Sequence, residues 1–161
     1  AEFVGGINDL FGGFKERAEQ VSNALRSPEV AFVLVTSPDP LAIGEARFFS
    51  DKLHAAGMNR EAIIVNQVHP LIEEPNASPA HQIEALRAVL PSSIDAADIQ
   101  PRLCEAFREE RVWAVSDAAQ VERLGEQIGN DTNIVEVPAF DEDVHDLAAL
   151  ARVAAYLTDA A

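Results

Sequence analysis

The stretch "FVLVTSPDPLAIGEARFFSDKLHAAGMNREAIIVNQVHP", Phe32 to Pro70, reads as strand, turn, helix and strand in succession. Ala31 to Thr36 is an unbroken aliphatic and β-branched run, as found in strands covered on both faces. Ser37-Pro38-Asp39-Pro40 is a turn. Beyond it Ala42, Ala46, Phe49 and Leu53 recur at helical spacing until Gly57, with Asp39 and Glu45 capping and charging the helix start. "AIIVNQV", Ala62 to Val68, is a second buried strand that Pro70 closes. Its end carries two amides, Asn66 and Gln67, where a buried strand should continue apolar. An asparagine at a strand end commonly serves as a cap or turn residue.

The flanks repeat the alternation. Phe14, Ala18, Val21 and Leu25 place a helix over Phe11 to Leu25, stopped before Pro28. Glu73 to Glu110 is helical and punctuated by prolines, with a Ser78 cap and Pro79 in a first turn; it reads as an insertion at one end of the sheet. Ile83, Leu86 and Leu90 share one face there, as do Ile99, Leu103 and Phe107. A short strand is expected at Val112 to Val115, then an amphipathic helix through Ala118, Val121, Leu124 and Ile128. "NIVEVP" is the last strand, and "FDEDVHDLAALARVAAYL" the last helix, with acids in its first turn. The order implies one α/β domain over residues 1–161, a mainly parallel sheet flanked by helices in three layers. Ligands of such sheets sit beyond the strand carboxyl ends, here Thr36 to Asp39, Asn66 to His69 and Pro138 to Asp141.

Composition narrows the partners. Of 161 residues, 27 are Asp or Glu and 12 are Lys or Arg, and the net charge of −15 repels phosphate backbones and anionic lipids, so nucleic acid is not an expected partner. Cys104 is the single cysteine, unable to form an internal disulfide or a cysteine-rich metal site, and it suits a reducing cytoplasm. No apolar stretch has the length of a spanning helix, and the N-terminus lacks a basic region followed by an apolar run. The chain opens on Ala-Glu-Phe rather than Met, which fits processing or truncation. His54, His69, His81 and His145 lie on separate elements without metal-ligand spacing, and solvated or packing roles are expected of them. Asp141, Glu142, Asp143 and Asp146 read as a solvated helix start rather than a cation site.

Several of these segments, in this order and spacing, resemble the C-terminal half of the anion-transporting ATPases, a family that includes the arsenite-pump ATPases and the ATPases that deliver tail-anchored membrane proteins. The resemblance rests on a strand ending Thr-x-Pro-acid at Thr36 to Asp39, on Val-Asn-Gln at Val65 to Gln67, and on the Val-Pro of Val137 and Pro138 before an acid-rich segment; "LFGGFKERAEQV" extends it towards the N-terminus. It implies a dimeric P-loop nucleotidase that binds ATP or ADP with Mg²⁺. By position, Asn66 takes the adenine edge, since an amide offers a donor beside an acceptor. Pro138, Ala139 and Phe140 form the loop against the base, with Phe140 either stacking on it or stapling the next helix, and Gln67 is a lesser candidate. Asp39 stands where the family usually has glutamate.

The phosphate chemistry is absent from this segment. A P-loop needs Gly-x-x-x-x-Gly-Lys-Ser/Thr, and neither Gly5-Gly6 nor Gly12-Gly13 has Lys and a hydroxyl at that spacing. The resemblance therefore implies the C-terminal half of a longer ATPase, inactive alone, with no catalytic or metal-binding residue of its own. Its partners would be the missing P-loop half, a second ATPase subunit, and a protein client or membrane component met by the Pro75 to Phe107 helices. A second reading is a non-catalytic short paralogue that regulates an intact ATPase, and a third an unrelated small-molecule-binding α/β domain.

Overall fold

A computed structural model describes residues 2–73, 76–129 and 132–158, with side chains from residue 13 onward. The expected junction at Pro75 lies outside the described residues. The element order is α1 (Glu2–Leu25), β1 (Phe32–Thr36), α2 (Pro40–Ala55), β2 (Arg60–Val68), α3 (Pro79–Val89), α4 (Ala96–Ile128), β3 (Asn133–Pro138) and α5 (Leu147–Thr158). The strands form one sheet in the order β1-β2-β3, and both pairings are parallel. This is the expected α/β class with flanking helices.

The core lies between the sheet and helices α2 and α4. Ile63 and Val65 from β2, Ile43 from α2, and Val121 and Leu124 from α4 meet in one buried cluster, with Leu34 and Ile134 packed against it. Ile63, Val65 and Leu124 are fully buried, each contributing roughly 1.5–3 kcal/mol by leaving water. Helix α2 begins as its sequence dictates: Asp39 caps it by accepting from the Leu41 and Ala42 amides, and Pro40 occupies the first turn. It ends where Gly57 takes φ +68°, a left-handed conformation that glycine adopts without a Cβ clash.

Four expectations change. The buried stripe of α2 is Ile43, Ala46, Ser50 and Leu53, not Ala42 and Phe49. Phe49 points outward because the stripe turns towards Ser50, whose hydroxyl receives a hydrogen bond from the Arg60 guanidinium. The strand expected at Val112 to Val115 is helix, the middle of the single 33-residue α4. No turn residue bounds that short β-branched run, and good helix formers precede it; Ala114, Asp117, Val121 and Leu124 continue one buried stripe. Pro101 sits in the second turn of α4, and Glu110 lies within the same helix.

β1 is covered on one face only: Leu34 meets the core, whereas Val33 and Val35 are 50% and 67% exposed. No described helix packs over them, and the apolar side of α1 is itself exposed at Phe14 and Val21. Finally, the last helix starts at Leu147, so Asp141 to Asp143 precede it in an irregular segment, and Asp146 alone caps it by accepting from the Ala149 amide at 2.7 Å.

Candidate functional site

The three strand ends converge on one cleft. Its first wall is the Ser37–Pro40 turn, held by the Asp39 cap that starts α2. Those two helix amides are already bonded to the Asp39 carboxylate, so this helix start takes care of its own N–H groups.

The second wall comes from β2. Pairing with β3 is regular to Asn66, opposite Val137, and then slips, so that Val68 pairs with Pro138 and Gln67 is left over. Gln67 has φ +62°, the one left-handed residue other than glycine among those described. Such backbone costs about 1–3 kcal/mol and persists where the surroundings enforce it. Here the bulge returns Val68 to the core and exposes Gln67 to the cleft. The third wall is the chain after β3, where the Ala139 amide donates to the Val68 carbonyl at 2.9 Å and brings Ala139 and Phe140 to the rim. The cleft has a volume of about 440 Å³, and a neighbouring hollow of about 480 Å³ shares His69, Ala139 and Phe140 with it.

Of the candidates read from the sequence, Gln67, Ala139 and Phe140 line this cleft. Pro138 borders a separate hollow beside Val68 and Tyr156. Asn66 is exposed and outside the cleft lining; it follows Ile64 by two residues, so it shares that residue's side of the sheet, the side on which Val35 is open. Among the described residues no side-chain hydrogen bond occupies its amide. Phe140 packs edge-on to Tyr156, centroids 6.1 Å apart, beneath the Arg152 guanidinium at 5.3 Å.

The residues that the sequence reading missed are His69 and Asp117. Asp117, on α4, is buried, and its Oδ2 accepts both the His69 backbone amide at 3.0 Å and His69 Nδ1 at 2.7 Å. Trp113, one turn earlier on α4, lies with its ring centroid 6.2 Å from the imidazole. The two partners are 48 residues apart. The one sequence signal was an acid standing on the apolar stripe of an amphipathic helix, between Ala114 and Val121.

The glycine pairs at the N-terminus are helical, within α1, and a helix interior commits its N–H groups to i−4 carbonyls instead of presenting them to phosphate. Among the described residues no cluster of three His, Cys, Asp or Glu is arranged to hold a metal, and no helix is long and apolar enough to cross a membrane. The cleft thus offers amide, imidazole, carboxylate and aromatic groups.

No curated protein matches the chain. Residues 7–98, more than half of it, match the family model described as anion-transporting ATPase, a span that holds β1, the Asp39 cap, α2 and all of β2. By this match the chain belongs to the anion-transporting ATPase family.

Proposed function

We propose that this chain is the base-recognising C-terminal portion of a cytoplasmic ATP-hydrolysing enzyme, with phosphate and Mg²⁺ chemistry supplied by a P-loop that precedes it in the full-length protein. Asn66, at the end of β2 just outside the cleft, hydrogen-bonds the adenine edge of a base seated beyond the strand end, Pro138, Ala139 and Phe140 form the loop against that base, and Gln67 lines the cleft itself. The observation that carries this reading is the convergence of Ser37–Pro40, Gln67 and Ala139–Phe140 on one cleft in a chain of this family. The bound ATP or ADP, with Mg²⁺, supplies the phosphoryl chemistry. The residues of this segment bind and orient the base, and the segment alone does not hydrolyse ATP.

The half-covered sheet supports a longer assembly. β1 has one strand neighbour and leaves Val33 and Val35 open, so further strands and a helical layer fit beside it. The same surface fits the alternative of a short regulatory paralogue, in which an intact ATPase covers it from a separate chain. The family implies a dimer, and a client or membrane partner would meet α3 and the first half of α4. Support for that surface is that α3 has no buried residue, with Val89 and Leu103 exposed near it.

Titration of the full-length protein with ATP and ADP tests the base-binding reading. Asn66→Ala should weaken both by about 1–3 kcal/mol while the fold is retained. Unchanged curves would remove Asn66 from the site, and a parent that binds neither nucleotide would end the reading.

A further inference from the structure

We infer that His69, oriented by Asp117, is a specificity-determining contact for the exocyclic amine of the bound base. This inference rests on the base-binding reading above and extends it to residues that the family match does not assign.

The imidazole is fixed at two points. Its backbone amide and its Nδ1 both reach Asp117 Oδ2, at 3.0 and 2.7 Å, and the carboxylate is buried on the inner stripe of α4. A carboxylate oxygen accepts from Nδ1–H, so in the neutral tautomer that this contact selects, Nε2 presents a lone pair. Among the described residues nothing bonds Nε2. The side chain is one-third exposed, and His69 lines the cleft together with Gln67 and Phe140. An acceptor held in that position complements an N–H donor. Adenine offers one in its amine; the base of inosine has a carbonyl oxygen there, which would face the lone pair without a bond.

The Gln67 bulge serves this placement. The left-handed residue and the lost register step turn the chain after Asn66, so that Val68 stays in the core and His69 lies against α4. Asp117 is accordingly a positioning residue. It fixes tautomer and ring orientation, the role that a carboxylate behind a functional histidine commonly plays.

The experiment compares ATP and ITP binding to the full-length protein by titration calorimetry. The parent should prefer ATP, and His69→Ala should reduce that preference about threefold to tenfold, chiefly by weakening ATP, as expected for one hydrogen bond. His69→Phe, which keeps the ring volume without a nitrogen, should behave as His69→Ala does. Asp117→Asn retains an acceptor oxygen for Nδ1 and should keep most of the preference, whereas Asp117→Ala should lose it; a purely structural carboxylate would change stability without moving the ATP/ITP ratio. An unchanged ratio in both folded His69 variants overturns this inference and leaves base binding standing. A parent that binds neither nucleotide overturns both.

Discussion

The Arg60 guanidinium, at the first residue of β2, donates from Nε to the Thr132 hydroxyl at 2.6 Å, joining groups 72 positions apart. A second nitrogen of the same side chain bonds Ser50 on α2. Ser50 and Thr132 are both buried, so one cation joins α2, β2 and the approach to β3 at the strands' amino ends.

Removing it leaves two buried hydroxyls without that donor. Arg60→Met should lower stability by about 1–3 kcal/mol in urea unfolding. Because the acceptors are neutral, the loss should be similar at low and high salt. A loss that vanishes in high salt would point to an ion pair instead.

The Asp39 cap gives a separate local test. Asp39→Ala should cost about 0.5–2 kcal/mol by releasing the Leu41 and Ala42 amides, and Asp39→Asn should recover most of it. Thermal unfolding of the two variants side by side would show whether the carboxylate acts as a cap or as something more.

Two glycines should respond in opposite directions. Gly57 sits at φ +68°, and an added Cβ would lie 4.0 Å from Arg26 Cδ, an ordinary contact, so Gly57→Ala meets no clash but is strained in its backbone and should destabilise by about 1 kcal/mol. Gly125 lies inside α4, and an added Cβ would be 3.7 Å from Ile134 Cδ1, an ordinary contact; Gly125→Ala should stabilise by about 0.5–1 kcal/mol. Equal signs in chemical denaturation would contradict the backbone argument.

Val35 tests the proposed completion of the sheet. At 67% exposure here, a lysine in its place should change stability by no more than about 0.5 kcal/mol if the face stays open. If a further layer covers it in the full-length protein, Val35→Lys buries a charge and should cost on the order of 3 kcal/mol. Unfolding of the full-length variant distinguishes the two.

Local chemistry was legible in the sequence. The unbroken aliphatic runs gave β1 and β2, and the Asp39-Pro40 start and Gly57 stop bounded α2, because caps and left-handed glycines act within a few residues of themselves. The strand ends forming one rim followed from the parallel order. The candidate residues were legible only in part: Gln67, Ala139 and Phe140 share the cleft, while Asn66 lies on the other side of the strand, since strand neighbours alternate and the bulge follows it.

By itself the sequence determined the alternation of strands and helices, the helix boundaries set by Asp39 and Gly57, and the order of motifs that marks the family. Only the tertiary structure decided that α4 runs unbroken through Val112 to Val115, that Ser50 rather than Phe49 turns inward, and that Asp117 fixes His69. Each of these depends on a partner supplied from elsewhere in the fold: an inner stripe facing β2, a guanidinium from Arg60, a carboxylate 48 residues away. Periodicity along a chain encodes which side of an element is apolar, and packing alone encodes which polar group meets which.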